Sequence, residues 1–372
     1  MATPVSAFGH GRQLLRAARS RPLSRELSDA YGFLRRAARS AAATCRGGTM
    51  TAVATTELDL EGHRRELTGY CYRMLGSAFD AEDAVQETMV RAWRSLDKFE
   101  GRSSLRSWLY RIATNVCMDS LGSGQRRARP MDLSATAWQP VVDSLAAQRV
   151  NEAWMEPMAD ERILPDSADP AEIAAGRESI RLAFVAALQY LPPRQRAVLV
   201  LREVLRWKAA EVSELLDTTV ASVNSALQRA RATLADAQGE SGEGFDPLDE
   251  DQQELLDKYV DAFEAYDIDT LVTLLREDAT QSMPPYEMWL QGRDDIRTWM
   301  LGPGAECRGS RVVRLTLNGS PGLAQWRAAP EGGYVPWALY ALDVRDGMVT
   351  NISTFLDTRL FTLLGLPETP PE

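Results

Sequence analysis

The spacing of apolar residues predicts two helical parts followed by a part that contains strands. Apolar side chains recur every three or four positions from about Leu58 to Gly122 and again from Glu178 to Ala237, as in amphipathic helices. A further helical stretch is predicted over 252–276. Runs typical of strands follow at 310–317, 322–328, 334–344 and 348–356, with Asp346-Gly347 as a hairpin turn between the last two.

Polar stretches separate these parts and set the predicted boundaries. Residues 123–178 form a polar connector with scattered prolines, and residues 238–247 combine glycine, serine, proline and acids, which is typical of a linker. We therefore predict an N-terminal arm at 1–54, a first helical unit at 55–122, a connector at 123–178, a second helical unit at 179–238, a linker at 239–251 and a C-terminal α+β unit at 252–372.

Composition excludes several classes of protein. The 372 residues are 45% hydrophobic and 25% charged, which are ordinary globular values, so a wholly disordered or fibrous chain is excluded. No uncharged apolar run approaches the roughly 18 residues of a membrane span. The four cysteines lie far apart and there are only two histidines, so the sequence indicates neither a disulfide framework nor a metal site, and leaves little room for histidine-based catalysis.

Charge is strongly polarised along the chain. The net charge of −10 is a sum over a basic start, with nine arginines and two acids in the first 50 residues, and an acidic end, with ten basic and 23 acidic residues in 241–372. Two interpretations of the start are favoured over a transit peptide: a flexible basic arm, or translation from Met50. The net acidity by itself argues against nucleic-acid binding, but the segments must be judged separately.

Two predicted helices in the first unit carry distinctive faces. In Asp80–Trp93, Asp80 is a natural N-cap, and one apolar face stands opposite acidic positions, which by itself is the pattern of a solvated helix. In the next helix, from Ser103 to about Leu121, Arg106, Tyr110 and Arg111 lie opposite the apolar stripe. Arginines interleaved with an aromatic suit phosphates and stacked, unpaired bases. We expect Tyr110 to be the stacking residue. The stripe consists of Leu105, Trp108, Leu109, Ile112 and Val116, and we expect its Trp108 to be a core residue.

The second unit has helix-turn-helix spacing. A helix is predicted at about 209–216, then a turn at Asp217-Thr218, then a helix capped by Thr219. The inward positions of that last helix are Val220, Val223, Leu227, Ala230 and Leu234, and the outward positions are Ala221, Ser222, Ser225, Gln228 and Arg229. In a DNA-reading helix such outward residues meet base edges and phosphates. An ordinary helical hairpin has the same spacing, so spacing alone leaves both interpretations open.

The two blocks, in this order and separation, resemble the extracytoplasmic-function (ECF) group of sigma-70 family RNA polymerase sigma factors. DAEDAVQETMVRAW is similar to the family's polymerase-docking helix, and FEGRSSLRSWLYRIATNVCMDSL to its promoter-melting and minus-ten-reading segment. LPPRQRAVLVLREVLRWKAAEVSELLDTTVASVNSALQRARATL is similar to sigma domain 4, which reads the minus-thirty-five element. Asp217 stands where the family usually has glycine, and Asp tolerates left-handed backbone well. Trp154-Met-Glu-Pro in the connector is similar to a W-x-E-P segment of the subgroup with an added C-terminal domain.

This resemblance implies a protein that binds core RNA polymerase and promoter DNA in the cytoplasm, away from the membrane, and is not itself an enzyme. It implies polymerase-docking positions at Asp80, Asp83, Gln86 and Glu87. It implies minus-ten positions at Arg102, Arg106, Tyr110, Arg111 and Asn115. The minus-thirty-five positions are Thr219, Ser222, Ser225, Gln228 and Arg229. No catalytic residue, metal or cofactor is implied, and a separate anti-sigma factor is left open.

Residues 252–372 resemble the SnoaL-like group of the NTF2-like superfamily, an α+β cone around a pocket. The similarity lies in LLDKYVDAFEAYDIDTLVTLLREDA, the MPPYEMW run and MVTNISTFLDTRLFTLLGLP. We expect the unit's four tryptophans, Trp289, Trp299, Trp326 and Trp337, to be core residues rather than the lining of a ligand pocket. Some relatives of this fold are cyclases that use a carboxylate, but nothing in the sequence marks Asp343 or Asp357 as catalytic.

The acidity of the C-terminal unit and the predicted linker before it favour modulation of the sigma domains in cis. Two alternatives stay open from the sequence. One is a helix-turn-helix regulator that senses a small ligand through the C-terminal unit, and copurification with core polymerase would distinguish it. The other is a SnoaL-like cyclase, which would require turnover of a polyketide-like substrate.

Overall fold

Helices form the first part of the described chain and a mixed sheet forms the last part. The structure is a computed structural model that describes residues 60–99, 101, 103–123, 126–149, 154–164, 169–237 and 249–371. The predicted N-terminal arm and most of the predicted 239–251 linker lie outside these residues. The helices are α1 (Arg64–Leu75), α2 (Ala78–Ser95), α3 (Leu105–Ser123), α4 (Asp160–Ile163), α5 (Pro170–Glu178), α6 (Leu182–Leu188), α7 (Pro193–Leu199), α8 (Ala209–Leu215), α9 (Val220–Ala237), α10 (Glu250–Ala265), α11 (Ile268–Thr273), α12 (Arg293–Leu301) and α13 (Arg359–Leu364).

One six-stranded sheet lies in the C-terminal unit. Its strands are β1 (Leu275–Ser282), β2 (Trp289–Gln291), β3 (Arg311–Leu317), β4 (Ser320–Ala328), β5 (Tyr334–Arg345) and β6 (Met348–Phe355), in the order β2-β1-β6-β5-β4-β3. All neighbours are antiparallel except β1 and β6, which are parallel. The predicted hairpin turn at Asp346-Gly347 is confirmed, with φ values of 51° and 69°. A second turn of this kind, Asn318-Gly319, joins β3 to β4 with φ values of 55° and 65°.

Helices α1, α2 and α3 pack together as the first unit. The apolar face predicted for α2 is confirmed, because Ala81, Val85 and Ala92 are fully buried. The N-cap expected at Asp80 is wrong. Helix α2 begins at Ala78 and is capped by Ser77, whose hydroxyl accepts a hydrogen bond from the Asp80 amide at 3.1 Å. Asp80 instead lies in the first helical turn.

The second unit contains the predicted helix-turn-helix in α8 and α9. Asp217 in the turn has φ 48°, the left-handed conformation expected where the family has glycine. Thr219 caps α9 by accepting from the Ser222 amide at 3.1 Å. Val223, Leu227, Ala230 and Leu234 are buried as predicted. Val220 is 42% exposed, so its inward placement is wrong; as the first helical residue it precedes the packed turns.

The sheet of the C-terminal unit has two buried faces. Alternate residues of β5 such as Tyr340 and Leu342 join a core with helices α10 to α12, while Leu339 and Ala341 belong to a core shared with the two helical units. The single helix expected over 252–276 is wrong: α10 ends before Tyr266, which has φ 55°, and β1 begins at Leu275. No described helix is both long and apolar enough to cross a membrane.

Candidate functional site

The outer face of α2 is only partly open. Asp83, Gln86 and Glu87 are exposed, as a docking surface requires. Partial burial, followed by the nearby carboxylates of Asp80 and Glu82, raises the pKa of Asp83. At the C-terminal end of the same helix, Trp93 is 50% exposed. The sequence interpretation did not single out this tryptophan, although an exposed aromatic beside a polar strip is typical of a protein interface.

Residues of the connector and the C-terminal unit cover the start of α2. Arg127 of the connector donates to the Asp80 carboxylate at 2.5 Å and to the Trp154 carbonyl at 2.7 Å. From the C-terminal unit, the Arg359 guanidinium lies 4.9 Å from the centre of the Phe79 ring. Asp80 is therefore held by another segment of the chain, whereas Asp83, Gln86 and Glu87 face solvent, where Glu87 pairs with Arg91 of the same helix at 2.7 Å.

The predicted minus-ten face of α3 is mostly covered. Asn115 and Arg111 are exposed and Arg106 is half-buried, while Arg102 lies outside the described residues. The outward placement of Tyr110 is wrong for this structure, because the side chain is fully buried between Tyr70, Glu66 and the second helical unit. Burial, followed by the Glu66 carboxylate, raises its pKa well above the usual range. Trp108, expected in the core, is partly buried against Phe99.

The residues that cover the predicted minus-ten face of α3 belong to the helix-turn-helix unit. The Trp207 ring lies 5.1 Å from the Tyr110 ring, and Arg111 Nη2 donates to the Glu214 carbonyl at 2.8 Å. The predicted minus-ten face therefore touches the domain that carries the predicted minus-thirty-five helix. No periodicity argument could have found this contact, because its two sides lie about a hundred residues apart.

The outward face of α9 is free. All of its predicted DNA-contacting residues are exposed, namely Thr219, Ser222, Ser225, Gln228 and Arg229. A cleft of about 170 Å³ runs beside them between α7 and α9, and Arg194 and Arg229 are among its lining residues. Within the described chain, α9 thus presents polar and basic groups that suit duplex DNA.

Asn318 joins all three units at one buried point. Its side chain is 0% exposed. Nδ2 donates to the Tyr72 hydroxyl of α1 at 2.7 Å and to the Ile180 carbonyl, at the start of the second unit, at 2.6 Å. Oδ1 accepts from the Met158 amide of the connector at 2.9 Å. The next residue, Gly319, donates its amide to the Asp160 carboxylate at 2.8 Å. The sequence interpretation missed this residue, although an Asn-Gly pair between two strand-like runs is a turn signal.

The W-x-E-P segment of the connector lies in the same junction. Glu156 is buried and accepts from the Ser77 hydroxyl that caps α2, while its carbonyl accepts from the Tyr72 hydroxyl at 2.8 Å. Desolvation raises the pKa of Glu156 to about 7 and that of Asp160 to about 6. Glu156 of this segment and Asp160, three residues after its end, thus place two carboxyl groups with raised pKa values between the first unit and the C-terminal unit.

Residues 134–149 of the connector contact the edge of the sheet. The Trp138 amide donates to the Trp289 carbonyl of the edge strand β2 at 2.8 Å, and the Trp289 indole donates to the Ser134 carbonyl at 3.2 Å. Further along, Arg149 pairs with Glu287 at 2.5 Å. The connector therefore covers a sheet edge that would otherwise leave its backbone groups unpaired.

The tryptophans of the C-terminal unit pack in its core rather than around an open pocket. Trp289, Trp299 and Trp326 are buried and Trp337 is partly buried, in line with the core interpretation. Asp343 faces the helical units, where its carboxylate accepts from Arg181 at 3.3 Å and from Asn351 at 3.2 Å. Among the described residues, no group of three or more His, Cys, Asp or Glu side chains could hold a metal ion.

Comparison with known proteins supplies the family context. Three family models match: Sigma-70 region 2 at residues 60–127, Sigma-70, region 4 at 181–234, and the SnoaL-like domain at 256–352. The chain is 45% identical over 311 residues to the ECF RNA polymerase sigma factor SigG of Mycobacterium tuberculosis, which covers 83% of both chains. It is 29% identical over 324 residues to SigJ of the same organism, covering 83% of this chain and 94% of SigJ. The crystal structure of SigJ has a TM-score of 0.52 at 23% identity over 84% of this chain and 99% of that chain, which shows a shared fold.

Proposed function

The chain belongs to the ECF family of RNA polymerase sigma factors, and from this membership we propose how its three units divide the work of promoter recognition. The first unit is sigma domain 2, the second is sigma domain 4, and the third is a SnoaL-like domain. The protein is an alternative sigma factor, which binds core RNA polymerase and directs it to promoters, while the chemistry belongs to the polymerase. Since that enzyme works in the cytoplasm, we place the protein there.

The exposed strip on α2 is the polymerase-docking surface. Asp83, Gln86 and Glu87 supply the polar contacts and Trp93 an apolar anchor, because an aromatic side chain that loses its water at an interface contributes more than the charged rim around it. Asp80 joins the surface only after Arg127 releases it. Its pairing within the chain supports a docking step that is coupled to movement of the connector.

Domain 2 captures the minus-ten strand along α3, and domain 4 reads the upstream duplex with α9. Arg106, Arg111 and Asn115 contact the strand, and Tyr110 stacks on it only when domain 4 has moved. On α9, Gln228 and Arg229 contact base edges and phosphates with greater specificity than Ser222 and Ser225 do. Arg102, just before α3, is a phosphate contact on the same strand.

The SnoaL-like domain modulates the sigma domains in cis by holding domains 2 and 4 in contact with each other. We call this the closed arrangement. The observation that carries this proposal is the set of hydrogen bonds that Asn318 makes to domain 2, the connector and the residue that leads into domain 4. One side chain there bridges parts that must separate when promoter DNA is bound. The domain acts through contacts rather than through catalysis.

A binding titration with purified core polymerase tests the docking proposal. The double variant Asp83→Ala/Glu87→Ala is expected to weaken core binding about tenfold, because it removes two exposed charges from the docking strip. The matched variant Asp251→Ala/Glu254→Ala removes two exposed acids from α10 and is expected to bind like the parent chain. Equal core affinity for both variants would place the docking surface elsewhere.

Truncation after Gln238 tests the role of the SnoaL-like domain. We expect the amount of transcript from individual promoters to change, because the shortened chain lacks the Asn318 junction. Holoenzyme assembly is measured in parallel by native electrophoresis. Unchanged assembly together with unchanged transcript yield would contradict modulation in cis.

A further inference from the structure

A slot on domain 2, formed by Glu66, Arg106 and Tyr110, is covered by the Trp207 ring of domain 4, which is tilted by 55° from the Tyr110 ring. The Arg106 guanidinium lies 5.1 Å from the centre of the Tyr110 ring and 5.3 Å from the centre of the Trp207 ring. Glu66 on α1 fixes both domain 2 side chains, since its carboxylate accepts from Arg106 at 2.7 Å and from the Tyr110 hydroxyl at 3.2 Å. Trp207 is only 6% exposed in this slot.

A carbonyl oxygen of domain 4 lies beside the slot. Arg111 Nη2 donates to the Glu214 carbonyl, in the last turn of α8, at 2.8 Å. Carbonyls at a helix C-terminus carry partial negative charge, and this one also accepts from the Asp217 amide at 3.4 Å. An aromatic ring near a guanidinium and a phenol, with a carbonyl oxygen on the next arginine, occupies the groups that an unpaired base and its phosphate would contact.

The backbone that presents Trp207 is irregular at two places. A π-helical turn occupies Val200–Val204, and Arg206 has φ 59°, a conformation that non-glycine residues rarely adopt. Both features cost free energy relative to regular structure, and both occur often at functional sites. Both lie directly before Trp207, whose amide donates to the Leu201 carbonyl at 3.0 Å.

The contact between Trp207 and domain 2 leaves a buried polar atom of the tryptophan without a hydrogen bond in the part of the chain that the structure describes. The Trp207 indole nitrogen is buried and has no hydrogen-bond partner among the described residues. A buried donor without a partner costs free energy that solvent would return on exposure. Domain 4 therefore covers the slot with a group that gains a hydrogen-bond partner when it leaves, which suits a reversible contact.

We propose that Trp207 is an internal substitute for an unpaired promoter base, so that single-stranded DNA and domain 4 compete for one slot formed by Glu66, Arg106 and Tyr110. This inference rests on the proposed role of α3 in minus-ten capture. Its consequence is that the free chain binds single-stranded DNA weakly, because its own tryptophan occupies the site. Release of Trp207 opens the stacking surface and frees Arg111 for the phosphate in the same movement.

Fluorescence anisotropy with a labelled mixed-sequence single-stranded oligonucleotide tests the competition in the full-length chain without polymerase. Trp207→Ala is expected to bind about tenfold more tightly than the parent chain, because the slot is vacated. Adding Arg106→Ala is expected to abolish the gain. Tyr190→Ala is the matched control, since Tyr190 also lies against a guanidinium, that of Arg126 at 4.1 Å, but outside the slot. Trp207→Leu, which keeps apolar volume, serves as a second variant should the alanine variant fail to fold.

The outcomes separate this inference from the proposed function. If both Trp207 variants bind the oligonucleotide no better than the parent chain, while holoenzyme transcription still falls on Arg106→Ala and Arg111→Ala, the competition is wrong and the role of α3 stands. If neither arginine variant changes the transcript yield, the proposed role of α3 is wrong. A gain in Trp207→Ala that persists after Arg106→Ala would place the DNA outside the slot and overturn the inference.

Discussion

At the scale of single residues, Asn318 carries more of the closed structure than its place in a tight turn suggests. Asparagine adopts a left-handed backbone more readily than most residues, so the turn alone accounts for its presence there. The side chain adds a second role, because its amide reaches the Tyr72 hydroxyl, the Ile180 carbonyl and the Met158 amide in a fully buried setting. Local sequence explains the first role and says nothing about the second.

Two substitutions separate these roles. Asn318→Gly keeps the left-handed turn and removes the amide, so it leaves buried partners unsatisfied and is expected to lower the free energy of unfolding by about 2 kcal/mol. Asn318→Ala also strains the turn and is expected to lose about 1 kcal/mol more. Urea unfolding measures both. In the turn between β5 and β6, Asp346→Gly is the control for a turn substitution in an exposed position. A glycine variant as stable as the parent chain would remove Asn318 from the junction.

At the scale of elements, the W-x-E-P segment makes the junction sensitive to pH. Burial raises the pKa of Glu156, while the Ser77 hydroxyl and then Arg127 oppose that shift; the carboxylates of Asp357 and Asp80 add to it. A carboxyl whose pKa is raised from 4.5 to about 7 holds its proton more tightly in the closed chain than when exposed. The contact is therefore most stable below about pH 4.5 and loses stability as the pH rises through about 7.

Asp160 acts in the same direction over a lower range. Its pKa is raised from 3.8 to about 6 by burial, against the opposing effects of the Gly319 amide and then Arg177. Both carboxyl groups thus favour the closed chain in acid and disfavour it above neutral pH. The ionised forms of both carboxyl groups are unfavourable in this buried setting. The segment is therefore held less firmly against the rest of the chain at neutral pH than in acid.

Glu156→Gln tests this pH dependence. The amide stands for the protonated carboxyl, so at pH 8 the variant is expected to be about 1–3 kcal/mol more stable than the parent chain, with a smaller difference at pH 5. Urea midpoints at the two pH values measure it, and Glu250→Gln on the exposed start of α10 is the control. A variant whose midpoint changes with pH as much as that of the parent chain would contradict the assignment.

At the scale of the whole molecule, the closed arrangement does not fit the proposed simultaneous reading of both promoter elements. The minus-ten and minus-thirty-five elements are about 25 base pairs apart, which is roughly 85 Å of duplex at about 3.4 Å per base pair. Here Arg111 of domain 2 is hydrogen-bonded to Glu214 of domain 4 at 2.8 Å. On the proposed function, promoter binding therefore separates domain 2 from domain 4.

Single-molecule energy transfer can follow that separation. Dyes attached at Asp119→Cys in α3 and Ala232→Cys in α9, two exposed positions, are expected to show high transfer in the free chain. Addition of core polymerase is expected to lower the transfer, because domains 2 and 4 move to separate docking sites. The pair Asp119→Cys and Ser95→Cys, both in domain 2, is the control and should not change. High transfer that persists in an active holoenzyme would contradict opening.

The sequence by itself determined the local elements and the family. Periodicity predicted α2, α3 and the helix-turn-helix, and alternation predicted strands β3 to β6, because these patterns depend on neighbours within a few residues. It did not predict the edge strand β2, which is only three residues long, or the Ser77 cap of α2. The motif resemblance identified the sigma domains through residues that lie together in the chain.

Only the tertiary structure decided which surfaces are open. The burial of Tyr110, the pairing of Asp80 with Arg127 and the junction at Asn318 each join residues between 40 and 250 positions apart. A helical period shows which side of a helix is polar, but it cannot show whether another domain covers that side. Contacts between distant segments are selected by shape and hydrogen-bond complementarity in three dimensions, and these are properties of the packed chain.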